Sequence, residues 1–171
     1  MNIFYLHQSA IIAAEMHADI HVGKLLLECC QMLSTAHHEH GNGDNVTYKP
    51  AHLNHPCTVW VRESRLHYMY VATLADHLGR QFELRFGHPH KSAEVLHKEL
   101  KLCPPAMNSL PCKWRNPPLA MPDAFKSDDA IESYRKYYSS KADTMNMVWH
   151  KGNRLPPQWF TMYRNELEKL A

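Results

Sequence analysis

The sequence predicts a mainly α protein, a single compact helical domain crossed by a proline-rich irregular strap. Three observations predict it. Between His17 and Thr35, polar and apolar residues separate onto opposite sides at the helical period. From Pro56 to Gly87 a second run combines a helical start, a helical period and a helical stop. Residues 103–126 carry six prolines, Pro104, Pro105, Pro111, Pro117, Pro118 and Pro122, a density that no regular element survives.

The elements follow in order. "MNIFYLHQS" opens with alternating apolar letters, which fits a short strand or an extended arm, and Ser9 is placed to cap a helix. On the first long helix His17, His21, Lys24, Glu28, Gln31 and Thr35 fall in a narrow wedge. Val22, Leu25, Leu26, Cys29, Met32 and Leu33 lie broadly opposite, as a core-facing stripe. "HHEHGNGDN", residues 37–45, ends this helix in a loop. Pro56 opens the second, after His55 or Asn54 as cap. Trp60, Val71, Leu74, Ala75, Leu78 and Phe82 form its packing face, with Glu63 and His67 at the edge. Ser92–Lys101 reads as a third, shorter helix stopped by Cys103-Pro104-Pro105. The strap that follows has Leu110, Trp114, Leu119 and Met121 as apolar anchors. A domain linker is the alternative, but the remaining chain is too short to fold alone. Ser127-Asp128-Asp129 starts a helix with acids at its positive end. A last helix begins at Pro156–Pro157, for roughly five in all.

Composition narrows the function classes. A chain of 171 residues with 44% hydrophobic content supports a real core. No run reaches the length of a membrane span, and no signal segment is recognisable, so a soluble cytoplasmic protein is expected. Five cysteines without C-x-x-C spacing argue against a disulfide framework and a zinc ribbon. A net charge of +2 does not mark a nucleic-acid binder. The 14 histidines raise the expectation of a polar site without defining its kind.

Four groups of residues carry candidate chemistry. The helical stripe of His17, His21, Lys24, Glu28 and Gln31 is either a site or a solvated face with a Lys24–Glu28 pair. Lysine before glutamate is the weaker orientation for such a pair. The cluster His37, His38, Glu39, His40 and Asp44 lacks the i,i+4 spacing of helical metal ligands, and no metal is assigned. Glu63 and His67 form either a satisfied core pair or a second acid facing the Glu28 pocket. The C-terminal third mixes bases with aromatics, including Tyr138, Lys151, Arg154 and Trp159. That mixture suits phosphate contact and base stacking, or else a core with bases outside it.

Taken together, four segments resemble the pyrimidine-dimer DNA glycosylase (endonuclease V) family of phages and bacteria, including a phage branch with a proline strap. They are "MNIFYLH", "ADIHVGKLLLE" from Ala18 to Glu28, "NHP" at Asn54–Pro56 with its helix to "LGRQF", and "LPPQWFTMY". They cover about a third of the chain, and their order and spacing are more specific than any one of them. The resemblance implies an all-helical fold whose α-amine attacks C1′ of a nucleotide, displaces the base and forms a Schiff base. It makes Met1, Glu28, His21 and Lys24 the catalytic set. Asn2, His17, Gln31, His55, Glu63, His67, Tyr138, Lys151, Arg154 and Trp159 are the candidate substrate contacts. An α-amine ordinarily titrates near ~8, well below lysine, so a usable neutral fraction exists at neutral pH. Leu27 and Gln31 stand where the phage enzyme carries phosphate-binding arginines.

The expected function is therefore an N-glycosylase, with AP-lyase capacity, on damaged or modified DNA, with no cofactor. The alternatives are a protein acting on or sequestering a small nucleotide, a binding or inhibitory phage protein without turnover, and a histidine-based metal hydrolase. The expected partner is DNA or a small nucleotide ligand, in the host cytoplasm if the protein is phage-encoded.

Overall fold

A computed structural model describes residues 1–170, with the side chains of all but 167, 168 and 170. The protein is mainly helical, and no strand occurs among the described residues. Among the described residues seven α-helices run in order: α1 (Ala10–Met16), α2 (Asp19–Glu39), α3 (Pro56–Glu63), α4 (Arg65–Phe86), α5 (Lys91–Val95), α6 (Ala130–Ser140) and α7 (Gln158–Leu170). No described helix is long and apolar enough to cross a membrane.

The first residues form an extended arm rather than a strand. Ile3, Phe4, Tyr5 and Leu6 are all buried. Phe4 sits at φ +46°, a left-handed conformation that costs a bulky residue energy. The Asn2 side-chain oxygen holds it there by accepting the Phe4 N–H at 3.0 Å. Arg135 donates to the Leu6 carbonyl at 3.0 Å and pins the arm to α6. Ser9 occupies the cap position of α1, but its hydroxyl makes no capping bond.

Two helices expected to be continuous are broken. The first breaks at His17–Ala18, where both residues are extended. Arg85 of α4 holds this corner with a side chain that is fully buried. It donates to the carbonyls of Glu15 at 3.1 Å and His17 at 2.7 Å, and to Asp19 at 3.2 Å. Helix-end carbonyls that lack partners within α1 are thereby satisfied. The second break is at Ser64, whose hydroxyl accepts the Leu66 N–H and caps α4. Gly87 ends α4 at φ +78°. In the other direction, α2 runs through His37, His38 and Glu39, which sequence pattern assigned to a loop.

α2 and α4 make the central pair, with α1 and α3 packed against them. Gly23 of α2 lets the helices approach: a β-carbon there would lie 2.9 Å from the Phe82 ring of α4. Trp60, Tyr68, Tyr134, Tyr138 and Trp149 are the largest fully buried side chains. The strap, residues 103–126, has only two short 3-10 turns and hangs on side-chain bonds. Ser64 donates to the Lys113 carbonyl at 2.9 Å, Trp60 to that of Arg115 at 3.1 Å and Tyr134 to that of Pro118 at 2.6 Å. Asn2 donates to Ala120 at 2.9 Å, which ties the arm to the strap. Asp129 caps α6 by accepting the N–H groups of Ile131 and Glu132.

Candidate active site

The arm, α2, the start of α3, the strap and the end of α6 enclose a cavity of about 270 Å³. Met1, Asn2, His21, Lys24, Glu28 and His55 line it, together with Phe4, Leu25, Ala120, Tyr137, Lys141 and Met145. The helical period of α2 explains the core of the set. His21, Lys24 and Glu28 project from one face of consecutive turns, and the opposite face carries the buried Val22, Leu26 and Cys29.

Met1 is seated at both ends. Its side chain is 1% exposed, and its sulfur accepts the buried Thr58 hydroxyl at 3.3 Å. The main-chain nitrogen stands 3.9 Å from Glu28 Oε2. The same carboxylate oxygen accepts the Asn2 N–H at 3.2 Å. Glu28 is thus engaged by the arm, and Lys24 is not within ion-pair distance of a carboxylate among the described residues. The surface-pair alternative for Lys24 and Glu28 does not form.

Histidine protonation follows from burial. The Tyr138 hydroxyl accepts the Ala18 N–H at 2.9 Å and directs its own proton to His21 Nδ1 at 2.8 Å. That leaves Nε2–H as the His21 nitrogen open to the cavity. Burial, followed by the charges of Lys24 and Lys141, pulls the His21 pKa down to about 4. His21 is therefore a neutral donor at neutral pH. His55 caps α3 through Nδ1, which accepts the Cys57 N–H at 3.2 Å. Its pKa is lowered by burial first, then by the terminal amine and His52, with Glu28 opposing.

The remaining candidates lie elsewhere. His17 is at the α1–α2 corner, off the stripe, because the helix breaks there. It is fully buried, with Nδ1 on the Ala13 carbonyl at 2.6 Å and Nε2 without a partner. Gln31 falls outside the cavity lining, and its carbonyl takes the Thr35 hydroxyl. Glu63, the last residue of α3, is exposed and pairs with Arg115 of the strap. His67 is buried but serves the strap. It stacks on Trp60 at 4.2 Å, donates to the Trp60 carbonyl and accepts the Arg115 N–H at 3.1 Å. Tyr138 stands one layer behind His21.

The C-terminal bases and aromatics do not form a stacking platform at the cavity. Tyr134, Tyr138 and Trp149 are buried in the core. Lys151 gives its backbone N–H to Asp19 and lies over the Phe86 ring, and Arg154 faces Glu15 at 3.7 Å. Trp159 packs against Tyr138 and Arg135. The histidine cluster is also dispersed. His37 meets Tyr68, His38 the Tyr48 carbonyl and His40 the Arg62 carbonyl. No group of three metal-ligating side chains gathers among the described residues.

Lys141 had no counterpart among the sequence candidates, whereas Tyr137 belongs to the C-terminal mixture of bases and aromatics. They are one turn apart, with the Lys141 ammonium donating to the Tyr137 hydroxyl at 2.8 Å. Their i,i+4 spacing was visible, but only the docking of α6 brings them opposite Lys24. An amine, a carboxylate beside it, a neutral imidazole donor and two further ammonium groups around one small cavity can carry nucleophilic and proton-transfer chemistry on an anionic substrate. Comparison with protein-family models, with curated proteins and with solved structures finds no match to this chain.

Proposed function

We propose that the cavity is a glycosidic-bond site in which the Met1 α-amine attacks C1′ of a nucleotide unit and Glu28 manages charge and protons. The observation that carries this is the 3.9 Å approach of the Met1 nitrogen to Glu28 inside the cavity. The neutral amine bonds to C1′ as the bond from C1′ to the base breaks. The base leaves with the electron pair and takes up a proton. Glu28 accepts the proton shed by the new C1′–N centre and returns it to the ring oxygen O4′ as the ring opens. The product is an imine between Met1 and C1′, which water hydrolyses to free the amine and the sugar. A carboxylate at this place also stabilises the positive charge that develops at C1′. Where a 3′-phosphate is present, removal of a C2′ proton by Glu28 expels that phosphate, an AP-lyase step.

This chemistry serves a damaged or modified nucleotide in DNA, giving an N-glycosylase of the pyrimidine-dimer type that the sequence resembles. It serves a free nucleotide equally, and the charge distribution favours that second substrate. The test is borohydride trapping. Borohydride reduces an imine to a stable secondary amine that intact mass and peptide mapping locate. Incubation with abasic DNA and with 2-deoxyribose 5-phosphate is expected to give an adduct on Met1. A version carrying a short N-terminal extension is expected to give none. An adduct confined to lysine, or absent with both compounds, sinks the reading.

A further inference from the structure

We infer that Lys24 and Lys141 form a seat for a phosphomonoester, which makes a single nucleotide monophosphate, rather than a stretch of duplex DNA, the substrate class of the cavity. This deepens the glycosidic reading, although the seat itself would stand if the amine chemistry failed.

Lysine pairing is the first argument. Lys24 and Lys141 both line the cavity, yet neither has a carboxylate within ion-pair distance among the described residues. The single acid of the lining, Glu28, is occupied by the arm. Lys141 is held instead by Tyr137, through its hydroxyl at 2.8 Å and its ring face at 4.2 Å. That contact orients an ammonium without neutralising it. The two lysines come from α2 and from the end of α6, and His21 lines the same cavity. Two lysines and a neutral imidazole lining one cavity suit a compact dianion.

Charge and size select the class. A phosphomonoester carries roughly −1.5 to −2 at neutral pH, close to what two unpaired ammonium groups can offset. A backbone diester carries only −1 per phosphate, and a duplex is gripped by many bases spread along a track. The whole chain has a net charge of +2. Lys24 and Lys141 set against Glu28 account for half of it, so little net charge is left for such a track. The cavity of about 270 Å³ is near the lower end for small-ligand pockets, ~300 Å³ and above, and suits a sugar phosphate with part of a base. The Asn2–Ala120 bond and Met145 wall it on two sides.

Calorimetric titration of the full chain tests this. The probes are the four 2′-deoxynucleoside 5′-monophosphates, the matching nucleosides, inorganic phosphate and a duplex without terminal phosphates. The expected result is that at least one monophosphate binds tenfold or more tighter than its nucleoside and than inorganic phosphate. Lys24→Gln and Lys141→Gln are each expected to cut the preference over the nucleoside at least fivefold, with the thermal melt unchanged. The exposed position of Lys24 keeps its variant foldable. Equal binding of monophosphate and nucleoside, inorganic phosphate binding as tightly as the monophosphates, an unchanged preference in both variants, or tighter binding of the duplex would each overturn the seat. A phosphate preference without any borohydride adduct on Met1 would uphold the seat and fail the amine chemistry.

Discussion

The proposed chemistry depends most on Glu28. Glu28→Gln keeps the shape and leaves an oxygen to accept the Asn2 N–H, so the melt should hardly move. Removing the charge beside C1′ should lower turnover by about two orders of magnitude or more, roughly 3 kcal/mol of transition-state stabilisation. Parallel melts and glycosidic-bond assays on nucleotide and abasic-DNA substrates check it. A variant that melts and works like wild type removes Glu28 from the mechanism. At this scale the stripe was legible, because His21, Lys24 and Glu28 repeat at helical spacing on one side of α2. Lys141 was not, since its place opposite Lys24 depends on how α6 docks. Tyr138 was legible only as an aromatic. Its hydroxyl acts one layer back, fixing the His21 tautomer between the Ala18 N–H and the ring.

Between elements, contacts from distant residues overruled local pattern. No glycine or proline marks the breaks at His17 and Ser64. Arg85 from α4 makes the first corner, and the strap docks at the second through the Lys113 carbonyl. The first break is what turned His17 away from the expected site. The strap's course was legible in its prolines, but its attachment points were not, because side chains from the arm, α3 and α6 supply them. The α2–α4 contact gives its own test. Gly23 has the Phe82 ring above it, and that ring is itself stacked on Phe86 at 4.6 Å and met edge-on by His90 at 4.7 Å. Gly23→Val should therefore destabilise by about 1–3 kcal/mol through overpacking, read as a lower midpoint in chemical denaturation. A midpoint equal to wild type would mean that Phe82 swings aside at no cost.

For the molecule as a whole, burial of neutral histidine sets the response to acid. Burial lowers the His17 pKa to about 3 and that of His21 to about 4, both from 6.5. His37 and His67 shift the same way, again chiefly by burial. Below pH 6.5 the unfolded chain takes up protons that the folded chain refuses, so this stability is present above that value and lost as pH falls toward 4 and then 3. The slope has an upper limit of ~1.4 kcal/mol per pH unit for each such histidine. Denaturation midpoints should fall steadily between pH 7 and pH 5, and His17→Gln should flatten the profile. Equal midpoints at the two pH values would show that these rings are hydrated and free to titrate. The helical class and the strap could be read from period and proline content alone, because those signals are local. The cavity could not, because no local signal reports that the N-terminal arm meets the strap and the end of α6.

That meeting has a consequence for the order of assembly. Helical proteins ordinarily fold quickly because their contacts are close in sequence. Here the bonds that hold the arm, the strap and the C-terminal third in place join residues far apart: Asn2 to Ala120 at the cavity across 118 positions, Arg135 to Leu6 across 129, and Trp149 to Met16 across 133. Each is a loop whose closure entropy must be met before its bond gives any return. α2, α3 and α4 can pair while those loops are still open, so the helical framework need not wait for the cavity. The arm and strap close over it afterwards, and the polar bonds that close them can release as a local event with the α2–α4 core intact. Hydrogen exchange is therefore expected to release the amides of the arm and strap before those of α2 and α4.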